Sequence, residues 1–136
     1  MARNRLTDEE LLDSVGGRLA AGDFQIEPLP QGHDPALLSA IIHMNGIQEN
    51  RYLYSRVYHC LLPGRTILIR DHVMDPSRTT PMDRAIFAVN MLTATSAGNS
   101  YTLEEMTEDL PLAGFTGVHL SRDRQDMDQL VVGTKG

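Results

Sequence analysis

The stretch LLPGRTILIRDHVMDPSRTTP, residues 61–81, decides the fold. Pro63-Gly64 breaks whatever precedes it, and Arg65 to Arg70 (RTILIR) is a short apolar run that ends at Asp71. Runs of this length, bounded by turn residues, read as buried strands. DPSRTTP, residues 75–81, then reads as a loop. Immediately upstream, Glu49 to Leu61 is helical in pattern: Leu53, Val57 and Leu61 fall four apart, with Tyr54 and Tyr58 on an adjoining stripe. Before that helix, Pro35 to Ile42 turns strongly apolar (ALLSAII) between a proline and Asn45-Gly46. Its length and boundaries fit a buried parallel strand, although periodicity alone does not exclude a helix. If it is a strand, the segment from Met44 to Pro63 is long enough to be the crossover that parallel pairing requires. Both strands then open at the same rim, with His43 just past one and Asp71 just past the other.

Toward the N-terminus, TDEELLDSV (7–15) reads as a short helix, with Thr7 and Glu10 able to form a capping box and Gly16-Gly17 stopping it. Arg18 to Phe24 is a candidate strand, and QIEPLPQGHDP (25–35) has the prolines and glycine of a surface loop. Toward the C-terminus, a helix is expected over Met82 to Leu92, with Ile86, Val89 and nearby Phe87 on its apolar side. Ala94 to Ser100 is a small-residue loop, and Thr102 with Glu105 writes a second capping box. That helix should end near Leu110, because Pro111 continues it only at a cost. Gly117 to Ser121 and Gln129 to Gly133 are two further strands, joined by the charged stretch RDRQDMD and close enough for an antiparallel hairpin. The expectation is an α/β chain with a mostly parallel sheet, a closing antiparallel hairpin and helices on both faces. Residues 1–17 form a helical segment ahead of an α/β unit over 18–136.

Composition removes several classes of function. The 136 residues carry a net charge of −6, and Lys135 is the only lysine among scattered arginines, so there is no basic stripe for nucleic acid. One cysteine, Cys60, rules out an intramolecular disulfide and suits a reducing cytoplasm. No apolar run is long enough for a membrane span, and MARNRLTDEELLD lacks the apolar region of a secretory signal. His33, His59 and His119 show no metal-ligand spacing with any carboxylate, so no metal is expected. Cys60 reads as a small core residue, and Glu104, Glu105, Glu108 and Asp109 as a solvated helix face.

From Gly22 onward the chain resembles the C-terminal half of the catalytic domain of the plant-type and bacterial small-molecule O-methyltransferases. GDF (22–24) is similar to the loop whose Asp contacts the adenine of the cofactor. DPALLSAIIH (34–43) resembles the strand that leads to the catalytic histidine, and LLPGRTILIRD (61–71) the family's helix end and fifth strand, with Arg65 where a second Gly is usual. YTLEEMTEDLPLAGFTGVHL (101–120) looks like the C-terminal helix with its AGF turn, and DQLVVGTKG (128–136) like the last strand. There are departures. The strand, Gly-rich loop and ribose-binding acid that open the family's cofactor site have no counterpart here, nor has the helical dimerisation domain. Ser100 stands near the place of a second catalytic acid.

The resemblance implies a partial Rossmann-like sheet and methyl transfer from S-adenosylmethionine to a hydroxyl of a small molecule. His43 would be the general base and Asp71 its partner; Asp23, Phe24 and Ser39 would hold the cofactor; Met82, Phe87 and Met91 would face the acceptor. Core packing is an equally good reading of the two methionines and the phenylalanine. His72 is a lesser candidate, better read as packing or loop chemistry. Two other readings stand beside the enzyme. The chain is a noncatalytic remnant or interaction module, or it is one half of a split enzyme completed by a polypeptide that carries the Gly-rich loop. An apolar strand edge left bare by the departures would be covered by the N-terminal segment or by a homodimer.

Overall fold

A computed structural model describes residues 22–77, 82–123 and 128–136. In chain order the elements are β1 (Ala36–Ser39), a 3₁₀ turn (Ile42–Met44), α1 (Ile47–Cys60), β2 (Thr66–Asp71), β3 (Val73–Met74), α2 (Met82–Ala94), β4 (Tyr101–Thr102), α3 (Leu103–Ala113), β5 (Phe115–Arg122) and β6 (Gln129–Lys135). The main sheet runs β1-β2-β6-β5, and β3 and β4 form a two-stranded sheet. Pairing is mixed: β1 with β2 and β3 with β4 are parallel, whereas β6 pairs antiparallel with both β2 and β5. The crossover from β1 to β2 is α1, as parallel neighbours demand.

The core explains this order. Along β2, Ile67, Ile69 and Asp71 alternate onto the buried face, as a period of two requires. Leu53, Tyr54 and Val57 of α1 pack with Met106 and Leu110 of α3, Phe115 of β5 and Val131 of β6 in one cluster with the two isoleucines. Each fully buried isoleucine contributes roughly 1.5–3 kcal/mol. The same alternation takes the Asp71 carboxylate inside, where an unpaired charge would cost several kcal/mol. The strand therefore tolerates Asp71 only with partners.

Several boundaries differ from expectation, each for a local reason. β1 stops at Ser39 rather than Ile42 because Ala40 is left-handed (φ 56°), which turns the chain out of the strand and into the 3₁₀ turn that carries His43. α1 begins two residues before Glu49 because Glu49 reaches back to the Gly46 amide (3.0 Å) and satisfies an end donor. α3 does not stop before Pro111 but runs to Ala113. Gly114, at φ 110°, closes its end by donating to the Leu110 and Pro111 carbonyls. The Thr102–Glu105 capping box forms as read.

α2 departs most. Ile86 and Val89, expected on a buried side, are 56% and 59% exposed, and the helix faces inward through Arg84 and Phe87 instead. Periodicity locates an apolar stripe, but not what covers it. The expected helix at 7–15 and nearly all of the expected strand at 18–24 lie outside the described residues; Gly22 to Phe24 form a bend entering a turn rather than a strand. No described helix is long and apolar enough to cross a membrane.

Candidate active site

His43 sits in the 3₁₀ turn after β1, and Asp71 is the last residue of β2. The two strands are hydrogen-bonded neighbours, Ser39 opposite Arg70, so both side chains meet at one rim. His43 Nδ1 lies 2.9 Å from Asp71 Oδ1 and 3.0 Å from Oδ2, and both residues are buried. Asp71 Oδ1 also accepts from the His72 amide at 2.8 Å. An ionised carboxylate only accepts hydrogen bonds, so in the neutral imidazole the proton belongs on Nδ1 of His43 and the lone pair on Nε2. Nε2 makes no hydrogen bond among the described residues. A buried histidine with one nitrogen fixed by a carboxylate and the other unengaged is chemically suited to accept a proton.

The surroundings close around this pair. The Phe87 ring of α2 meets His43 edge-on, centroids 5.0 Å apart, and lies 4.5 Å from the His72 ring. Burial pushes the His72 imidazole below its ordinary 6.5, against the pull of Asp71 beside it, and its Nδ1 is buried with no hydrogen-bond partner among the described residues. Tyr54 is no rival base, because burial, followed by Asp109, Tyr101 and Asp71, holds its hydroxyl far above the usual phenol range. Cys60 is no nucleophile either: burial raises its thiol, which donates to the Val57 carbonyl.

The backbone of the His43 turn is held from three directions. Asn50 donates to the Ile42 carbonyl (3.0 Å), the Asn99 amide donates to the His43 carbonyl (2.9 Å), and the Tyr101 hydroxyl donates to the Asn45 carbonyl. Gly98 allows the last loop to come this near, since a Cβ there would lie 2.5 Å from the His43 carbonyl oxygen. These supporting residues escaped the sequence reading. Asn45-Gly46 registered only as a boundary, and nothing local in Asn50, Asn99 or Tyr101 announces a partner so distant in the chain.

The other expected residues are dispersed. Asp23 and Phe24 line a hollow of about 140 Å³ with Gly22, Glu27, Pro28, Leu29 and Pro30. Asp23 Oδ1 accepts from the Gln25 amide (2.9 Å), and Arg56 of α1 donates to the Phe24 carbonyl from below. Ser39 is not among the residues lining that hollow; its hydroxyl accepts from Arg70 (3.3 Å). Of the three expected acceptor residues, Phe87 alone is shown against His43; Met82 is 73% exposed and Met91 half-buried. Ser100 is buried between Asn99 and β4. Among the described residues no group of histidine, cysteine and carboxylate side chains is arranged to hold a metal.

Comparison with solved structures gives the class: the fold is that of the S-adenosylmethionine-dependent methyltransferases. Human N-acetylserotonin methyltransferase, solved in complex with S-adenosylmethionine, superposes with a TM-score of 0.79 at 27% identity over 86% of this chain and 33% of its own. The chain belongs to the O-methyltransferase domain family, whose model matches residues 2–116. It is 39% identical over 103 residues to 3-hydroxy-5-methyl-1-naphthoate 3-O-methyltransferase of Streptomyces sahachiroi, covering 76% of this chain and 30% of that protein. It is 32% identical over 126 residues to the tetracenomycin polyketide synthesis 8-O-methyl transferase TcmO of Streptomyces glaucescens, covering 93% and 36%. The chain thus spans about a third of the length of these relatives.

Proposed function

We propose that His43 is the general base of an O-methyl transfer from S-adenosylmethionine to a hydroxyl of a small molecule, of the aromatic or polyketide kind named for its relatives. The observation that carries this reading is the His43–Asp71 contact on the rim shared by β1 and β2. The acceptor hydroxyl donates to Nε2. As its oxygen takes the methyl group, its O–H bond breaks and the proton passes to Nε2, giving an imidazolium whose charge Asp71 offsets through Nδ1. Phe87 packs its ring edge-on against one side of the imidazole. When bound, the cofactor supplies a sulfonium methyl and leaves as a neutral thioether.

The described residues fit one end of that cofactor. The hollow at Asp23 and Phe24 is large enough for a purine, and Asp23 is exposed there to accept from an exocyclic amine. Its volume is well below the roughly 300 Å³ at which whole-ligand sites begin. Ser39, engaged by Arg70, would have to exchange that partner to take part.

A second reading follows from β1. Its outer edge carries no strand among the described residues, and Leu37 on it is 56% exposed. Such an edge recruits a partner. A complementing polypeptide with the Gly-rich loop, a second copy of this chain, or the N-terminal segment would each cover it. The test is methyl transfer from labelled S-adenosylmethionine to hydroxynaphthoates, with the chain alone and with the N-terminal portion of a relative added. We expect activity only in the mixture, and a loss of at least about 10²-fold in His43→Gln. Transfer that survives His43→Gln unchanged overturns the assignment of the base.

A further inference from the structure

The His43 turn is tied by a run of three side-chain amides. Gln25 Nε2 donates to Asn45 Oδ1 (2.8 Å), Asn45 Nδ2 donates to Asn50 Oδ1 (3.1 Å), and Asn50 Nδ2 donates to the Ile42 carbonyl (3.0 Å). The run has a fixed direction. A backbone carbonyl only accepts, so Asn50 must present its NH₂ group to Ile42 and its oxygen to Asn45, which in turn must present its own oxygen to Gln25. Asn45 and Asn50 are 1% and 2% exposed, whereas Gln25 is at the surface, two residues past Asp23.

We infer that Asn50 is a positioning residue for His43, and that the amide run Gln25–Asn45–Asn50 couples the Asp23 turn to the imidazole. The inference rests on the reading of His43 as the base. Ile42 O accepts both the Asn45 amide of the turn (3.2 Å) and the Asn50 side chain, so Asn50 fixes the peptide immediately before His43 from a rigid helix. That peptide sets where Nδ1 points, and the contact with Asp71 selects the tautomer that leaves Nε2 bare. Buried side-chain amides are kept only where their hydrogen bonds are met, and here each bond made by Asn45 and Asn50 leads toward the His43 turn. At its outer end the run begins in the turn proposed to take a purine, so the occupancy of that turn is felt at the base.

The test reads the tautomer itself. Long-range ¹H–¹⁵N correlation spectra of the ¹⁵N-labelled chain, recorded about two units above the ordinary histidine value so that the rings are neutral, distinguish Nδ1–H from Nε2–H. His43→Gln identifies the signal among the five histidines. In the parent chain His43 is expected as Nδ1–H, and in Asn50→Ala the ratio of Nδ1–H to Nε2–H falls severalfold. Gln25→Ala, at an exposed position, shifts the ratio the same way by less. Arg51→Ala, on the same helix as Asn50, removes the ion pair with Asp109 of α3, lowers stability and leaves the ratio alone. A parent ratio in folded Asn50→Ala overturns the proposal, as does an equal shift in Arg51→Ala. If Asn50→Ala does not fold, a parent ratio in Gln25→Ala overturns it. Loss of the base assignment in the transfer assay would leave these tautomer ratios standing, so the two failures are separable.

Discussion

Asp71 accepts hydrogen bonds and has none to give, and that single chemical fact fixes the proton on its neighbour. Replacing it with asparagine keeps the size and offers an NH₂ group to Nδ1. The imidazole then carries its proton on Nε2 and has no lone pair facing an acceptor. Asp71→Asn in a transfer-competent assembly should therefore lose about 10²–10⁴-fold in kcat, the range attributed to a positioned base, with little change in KM. Steady-state kinetics on the variant checks it; unchanged kcat would dismiss the dyad. His72 gives a second, independent prediction. Its folded form resists protonation because of burial, whereas the unfolded chain takes up the proton at the ordinary 6.5. The unfolded state binds more protons in that interval, so stability falls as pH drops below about 6.5 and levels off below the folded value. Denaturant melts at a series of pH values should show this acid-side loss reduced in His72→Gln relative to the parent.

At the scale of elements, the Thr102 cap does more than end a helix. It joins β4 to α3, and β4 carries the Tyr101 hydroxyl that holds the His43 turn. Thr102→Ala removes the acceptor for the Glu105 amide and should cost about 1 kcal/mol of stability, seen as a lowered midpoint in urea. Thr102→Ser, which retains the hydroxyl, should recover most of it. This cap was legible because Thr102 and Glu105 announce it within four residues. The helices and the strands β2, β5 and β6 were legible for the same reason: their periodicity and their breakers are local. β3 and β4 were not, because two residues are too few to carry a period. Ala40 was not, since nothing in SAII marks a left-handed alanine that ends a strand early. Neither was the outcome at Pro111, where the cost of proline is offset by the Gly114 cap and the complete burial of Leu110. The meeting of His43 with Asp71 could be anticipated from two strand ends and a crossover. The amide run could not, because its members are matched only once the loop at 22–30, α1 and the His43 turn are in place.

For the whole molecule, the described residues offer the cofactor a purine-sized hollow and a base, but the ribose and methionine portions have no described partners. Missing a few charge-assisted hydrogen bonds, at about 1.5–3 kcal/mol each, takes a micromolar site to millimolar. Calorimetric titration of the chain alone with S-adenosylhomocysteine should give a dissociation constant no tighter than about 10⁻³ M; micromolar binding would contradict it. The single lysine, Lys135 at the end of β6, donates to the Tyr58 and Leu61 carbonyls (both 2.7 Å) and lies 4.6 Å from the centre of the Tyr58 ring. The ammonium therefore ties the last strand to the end of α1, where cations are favoured. Amine-directed dyes, biotin esters and aldehyde cross-linkers have only this group and the terminal amine to attack. Conjugation at Lys135 neutralises the ammonium and unfastens the helix end, so densely labelled material should melt several degrees lower. Tethering confined to the α-amine keeps that fastening intact.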